Sequence, residues 1–251
     1  QPLVRLSDEG LIGAEVLVRL VDGEPLDVGP AVFIPVMESS GLIVELGDWV
    51  RESACRQGRA WLDAGHAPGS LAVNLSVIEI RRGGLEGRLA RTLRDTGYPA
   101  AGLELEMTES SLMDQGEQAQ LFLAALKRLG LRLSIDDFGT GYSSLAYLKR
   151  LPVDKLKIDR SFIRDIPRDG SDMELAATII ALGHNLGLTV LAEGVETRAQ
   201  FDFLKSRDCD ACQGYLFSKP LTAGEFERRF LMQRGSAGAS AAAAERGGEI
   251  A

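Results

Sequence analysis

Short apolar strands alternate with longer helical patterns along most of this chain, and that alternation leaves few folds open. Strand patterns lie near Pro2–Leu6, Gly13–Leu20, Ser70–Ser76, Leu103–Thr108, Leu131–Asp136, Asp154–Asp159, Leu188–Glu193 and Asp210–Tyr215. Helical patterns lie near Phe33–Glu38, Ile43–Ala64, Leu85–Thr96, Gln115–Leu129, Asp172–Leu186, Arg198–Ser206 and Ala223–Gln233, with stop signals such as Gly97, Gly130 and Gly187. Strand–helix repetition implies a mainly parallel sheet covered by helices. Eight strands within the first 232 residues fit a closed, α/β, TIM-like (β/α)8 barrel better than an open sheet. Only a short turn around Ser7–Leu11 separates the first two strands, so they are expected to run antiparallel.

Side chains on a strand alternate between faces, which sorts these residues further. Leu71, Val73 and Leu75 oppose Ala72, Asn74 and Ser76; Leu103, Leu105 and Met107 oppose Glu104, Glu106 and Thr108. Leu131, Leu133 and Ile135 oppose Arg132, Ser134 and Asp136; Leu156 and Ile158 oppose Lys155, Lys157 and Asp159. Val16, Val18 and Leu20 oppose Glu15, Leu17 and Arg19. The apolar faces must meet the helices, so the polar faces must line the lumen, where most barrels carry branched aliphatics. Polar groups there are costly unless they pair or bind a cation. Glu104, Arg132 and Lys155 read as a buried salt-bridge network. Asn74, Glu106, Asp136 and Glu193 sit at carboxyl ends of strands, where barrel active sites form.

Composition excludes several classes. The chain has 251 residues, is 45% hydrophobic and 25% charged, and carries a net charge of −8. That balance disfavours a large nucleic acid or an anionic membrane surface as partner. No apolar run approaches the ~20 residues of a membrane helix, so direct membrane insertion is not expected. Cys209-Asp-Ala-Cys212 has Cys-x-x-Cys spacing, but only Cys55, His66 and His184 could complete a zinc site. Ordinary reduced thiols in the cytoplasm are the simpler reading. Residues 233–251, rich in Ala, Gly and Ser, read as a disordered tail or linker, in which Ala241–Arg246 could be weakly helical. The first residue is Gln1, not Met, which suggests a piece of a longer protein.

Asp136 and Asp137 lead straight into Phe138-Gly139-Thr140-Gly141. Adjacent carboxylates repel and need compensating cations, and one carboxylate can bridge two metal ions about 3.5–4 Å apart. Glu15, Asn74, Glu106, Glu109, Glu193, Glu196 and Gln213 add oxygen donors near the same face. Such a set suits Mg2+ or Mn2+ better than Zn2+. Neither histidine sits at a strand end, which leaves a Ser–His–Asp triad without support. Gly139-Thr140-Gly141 lacks the Lys-Ser/Thr ending of a phosphate-cradling loop.

Taken in order, these runs resemble the EAL-domain cyclic di-GMP phosphodiesterases. The matching segments are Gly13–Arg19, Phe33–Pro35, Gly41–Ile43, Ala72–Ser76, Asp136–Leu145, Tyr147–Phe162, Ala192–Thr197 and Gln213–Pro220. The resemblance spans nearly all of the chain up to about Phe230, within a domain of residues 1–232. It implies a modified barrel with an antiparallel early strand, and two-metal hydrolysis of cyclic di-GMP to linear pGpG. It further implies that Glu15, Asn74, Glu106 and Asp136 bind one ion, and that Asp136 bridges to a second held by Asp137, with Glu193 nearby. Lys157 would contact the attacking water. Whether Lys157 or Glu193 positions or deprotonates that water stays open. Glu109 and Glu196 would support the neighbouring loops, Gln213 would fix the carboxylates, Arg19 would meet a phosphate, and Leu17 and Pro220 would line guanine sites. A homodimer joined through the Asp136–Leu145 loop and regulatory domains in a longer parent, one that a membrane could anchor, are also implied. A non-hydrolysing cyclic di-GMP receptor is the alternative, and an unrelated metal-dependent lyase on a barrel is a third reading. The signature Glu-Ala-Leu reads Glu15-Val16-Leu17 here. The two extra methyl groups of Val16 face the helices, where crowding costs about 1–3 kcal/mol at most, so activity is expected to survive.

Overall fold

A computed structural model describes residues 1–20, 29–113, 116–141 and 145–232. Eight strands close into one barrel: β1 Pro2–Arg5, β2 Leu11–Val16, β3 Ser70–Asn74, β4 Leu103–Thr108, β5 Arg132–Phe138, β6 Lys155–Ile158, β7 Thr189–Ala192 and β8 Ala211–Cys212. β1 runs antiparallel to both β2 and β8, and every other pairing is parallel. The reversal puts the amino end of β1 at the barrel mouth, beside the carboxyl ends of the other strands.

Helices α1 Pro30–Ser40, α2 Ile43–Asp63, α3 Val77–Arg82, α4 Leu85–Thr96, α5 Glu109–Met113, α6 Glu117–Arg128, α7 Leu145–Leu148, α8 Gly170–Asn185, α9 Arg198–Ser206 and α10 Ala223–Phe226 surround it. α10 continues as a π-helical turn through Leu231. α1 is longer than the sequence pattern suggests, because Pro30 starts it and Gly41, at φ 75°, ends it. α3 was missed, although Ser76 and Glu79 form a reciprocal capping box at its start. The expected start of α6 at Gln115 and the tail from Gln233 lie outside the described residues, as do Tyr142–Ser144 of the Asp136–Leu145 loop.

The expected face assignment decides the packing. Leu71, Val73, Leu75, Leu103, Leu105, Met107, Leu133, Ile135, Leu156 and Ile158 all join one apolar shell between sheet and helices. Val16 packs against that shell, as its face predicts. The lumen is not wholly polar, however. Leu3, Leu191 and Ala211, with Ile12 against them, form a separate apolar cluster. The pairing of β1 with β2 slips between Leu3 and Val4, which brings Ile12 as well as Glu15 to the inner side.

The expected Glu104–Arg132–Lys155 network needs correction. Lys155 Nζ lies 2.7 Å from Glu104 Oε1, and Ser70 Oγ donates to Glu104 Oε2 at 3.2 Å. Arg132 pairs with Glu104 in register, yet its side chain is exposed, because β5 begins there and solvent is open to a long cation at a strand end.

Candidate active site

Lys157 organises the mouth of the barrel. β6 carries it on the lumen face, with 0% exposure. Its Nζ lies 2.6 Å from Glu193, 2.8 Å from Glu106, 3.1 Å from Asp136 and 3.9 Å from Glu15. Those four acids come from β7's end, β4, β5 and β2, so closure of the sheet is what assembles them. Asn74 Nδ2 donates to Glu15 Oε1 at 2.8 Å, and Gln213 Nε2 donates to Glu15 Oε2 at 2.5 Å.

Asp136 and Asp137 are neighbours on a strand, and plain alternation sends neighbours to opposite faces. The β5–β6 register shifts between Ile135 and Phe138, and Asp137 adopts φ 53°. That bulge turns the second carboxylate back, so that oxygens of Asp136, Asp137 and Glu193 lie within 4.8 Å of one another. A left-handed aspartate costs backbone energy that the surrounding fold must offset. Glu109, buried at the start of α5, accepts from the Gly139 N–H at 3.0 Å and braces the same turn.

The electrostatics follow from burial. Desolvation works against charge on Lys157, but Glu106, Glu15, Glu193 and Asp136 outweigh it and hold the ammonium well above the ordinary lysine range. Burial pushes Glu193 up to about 7, with Asp136 and Glu15 adding to the rise. Burial also raises Asp137, helped by Asp136 and then Asp159. Glu106 rises well above the usual carboxylate range, chiefly by burial. Glu15 is held below that range, because Lys157, Gln213 and Asn74 outweigh its desolvation.

Four carboxylates thus share one ammonium, with a fifth, Asp137, beside them. The donors are carboxylate and amide oxygens, suited to a hard divalent cation. Glu106 Oε1 is buried and makes no hydrogen bond among the described residues. Both observations fit a centre completed by cations, with Glu15, Asn74, Glu106, Asp136, Asp137 and Glu193 able to hold them.

The outer residues divide. Leu17 and Pro220 line one cavity of about 280 Å3 that reaches Glu15. Arg19 and Leu17 line another of about 480 Å3, with Pro35, Glu38 and Asn74. Among the described residues Arg19 donates to the adjacent Val18 carbonyl. Glu196 is exposed, and its backbone N–H donates to Gln200 at the start of α9. The three cysteines are buried and unbridged. His66 faces Glu227 and His184 faces Asp210, away from the acids.

The model of the EAL domain matches residues 1–220. The chain belongs to the EAL domain family. Cyclic di-GMP phosphodiesterase NbdA of Pseudomonas aeruginosa is 47% identical over 227 residues, covering 90% of this EAL domain chain and 29% of the relative. The solved structure of PaMucR phosphodiesterase in complex with c-di-GMP, from the same organism, superposes with a TM-score of 0.86 at 43% identity, covering 90% of this chain and 92% of that one. A manganese and cyclic di-GMP complex of Klebsiella pneumoniae BlrP1 superposes at 0.77 with 28% identity, covering 89% and 55%. The chain spans about a third of the length of the curated relatives it matches. Among the described residues no helix is long and apolar enough to cross a membrane.

Three residues near the EAL site escaped sequence reasoning. Asp159 raises Asp137, and its place just past β6, in step with Lys155 and Lys157, was the available signal. Glu38 accepts from Ser76 Oγ at 2.6 Å at the cavity mouth, a contact between distant segments that no local pattern marks. Gln1 accepts from Gln213 Nε2 at 2.9 Å; its lumen-side alternation with Leu3 was the only hint.

Proposed function

We propose that this EAL domain hydrolyses one phosphodiester bond of cyclic di-GMP and releases linear pGpG, with two divalent cations, Mg2+ or Mn2+, in the acidic mouth. The observation that carries the reading is the set of five carboxylates gathered around fully buried Lys157. When bound, the cations would supply Lewis acidity to the phosphoryl oxygens and lower the pKa of a water.

The chain's own residues supply position and charge. Glu15, Asn74, Glu106 and Asp136 would hold one ion, and Asp136, Asp137 and Glu193 the other. Lys157, whose N–H groups are directed at carboxylates, donates and does not accept. It would orient the water, and Glu193 beside it at 2.6 Å would take the proton. Arg19, at the rim of the larger cavity, is free to swing from a neighbouring carbonyl to a phosphate. Leu17 and Pro220 would meet the bases. Val16 sits in the outer shell and leaves Glu15 in place, which favours hydrolysis over mere reception.

We also infer a catalytic unit of residues 1–232 acting as a homodimer through the loop after Asp137, joined to regulatory domains in a longer protein and working in the cytoplasm. The test is incubation with cyclic di-GMP and Mg2+ or Mn2+, with an EDTA control, following pGpG by chromatography. Metal-dependent pGpG is expected. Tight binding without product would move the chain to the receptor class.

A further inference from the structure

Gln213 presents one amide to two acceptors. Its Nε2 donates to Glu15 Oε2 at 2.5 Å and to Gln1 Oε1 at 2.9 Å. Gln1 is itself pinned, because its Nε2 donates to the Ser218 carbonyl at 2.9 Å. A carbonyl can only accept, so the polarity of the whole chain of bonds is fixed. Ser218 C=O demands the NH2 of Gln1, which turns the oxygen of Gln1 toward Gln213. That oxygen in turn demands the NH2 of Gln213. The amide oxygen of Gln213 then lies on the other side, buried and without a hydrogen bond among the described residues. Gln1 also exchanges both backbone hydrogen bonds with Glu15, at 2.8 Å each.

We propose that Gln1 is a positioning residue for the metal centre: it selects the orientation of the Gln213 amide and thereby holds Glu15 in its ligating rotamer. The antiparallel β1 makes this possible, since a reversed strand brings its amino end, and Gln1 just ahead of it, to the mouth. Without the Gln1 oxygen, Glu15 alone holds the Gln213 amide, and Glu15 loses a restrained donor. Outer-shell partners of metal ligands commonly contribute about 10- to 100-fold to metal affinity. This inference rests on the proposed metal centre.

The test is calorimetric titration of Mn2+ into the 251-residue chain, with the metal-free melting temperature read alongside. Gln1→Met removes both side-chain bonds at similar volume, and about tenfold weaker Mn2+ binding with a melting temperature near that of the parent is expected. Gln1→Glu keeps an acceptor facing Gln213 and loses only the bond to Ser218, so its affinity should equal or exceed the parent's. In a Gln213→Met background, Gln1→Met should produce no further loss. Equal affinity of parent and Gln1→Met, equal weakening by Gln1→Glu, or additive losses in the double variant each overturn the role of Gln1. Absence of Mn2+ binding by the parent overturns the metal centre as well, which separates the two failures.

Discussion

Lys155 and Lys157 stand two residues apart on the same face of β6, and they live in different electrostatic settings. Lys155 meets one carboxylate, Glu104, and the pair is balanced and supported by Ser70. Lys157 meets four, with Asp137 close by, and the surroundings remain acid-rich after it is counted. A balanced buried pair is replaceable in principle, because apolar groups of similar volume often do as well. An acid excess has no apolar equivalent. It is tolerated only where protons or cations offset it, and that is the difference between a structural lumen pair and a reactive one.

The sharpest way to break the contrast is Asp136→Asn. Loss of the proposed shared ligand should cost about 4 kcal/mol of transition-state stabilisation, roughly a thousandfold in the proposed pGpG formation, with the circular dichroism spectrum retained. Normal turnover would remove Asp136 from its bridging role. Saturating Mn2+, at about 100 times its dissociation constant, should stabilise the parent by about 2.7 kcal/mol, and a thermal shift should show this stabilisation absent from Asp136→Asn.

Next comes the lysine pair itself. Lys157→Met leaves clustered carboxylates without their ammonium, and metal-free stability should fall by about 3–5 kcal/mol in a urea titration. Replacing Lys155 by Met together with Glu104 by Leu should change stability by no more than about 1–2 kcal/mol and leave activity nearly at the parent's level. If the double replacement proved as damaging to turnover as Lys157→Met, the two layers would be one functional unit.

Smaller effects sharpen the boundary. Glu109→Gln keeps the size of a group that braces Gly139 and should weaken Mn2+ affinity by about tenfold while leaving every proposed ligand in place. An unchanged affinity would confine Glu109 to loop packing. The smallest expected signal is thiol chemistry. Burial pushes Cys55 up to about 11 and Cys212 up to about 12, and raises Cys209 as well. The thiolate is the reactive form, so iodoacetamide at pH 8 should label the folded chain negligibly and the urea-unfolded chain at all three cysteines. Rapid labelling of the folded state would return the Cys209–Cys212 spacing to consideration.

Much of this protein was legible in its sequence. Period-two alternation sorted Leu103, Leu105 and Met107 from Glu104 and Glu106, since burial of one face is a local requirement of any strand. The same rule found Asn74 and Lys157, a place at a strand's carboxyl end marked Glu193, and the short Ser7–Leu11 connection announced the reversed β1. Alternation failed where pairing between strands intervened. It would have separated Asp136 from Asp137, yet the bulge against β6 and the left-handed Asp137 turn both carboxylates into one cluster with Glu193. It placed Arg132 in the lumen network, while the strand end lets that side chain reach water. Which acids share Lys157, and that Gln1 reaches Gln213 across 212 positions of sequence, were decided by closure of the barrel. Closure sets distances between strands, and no local pattern encodes them.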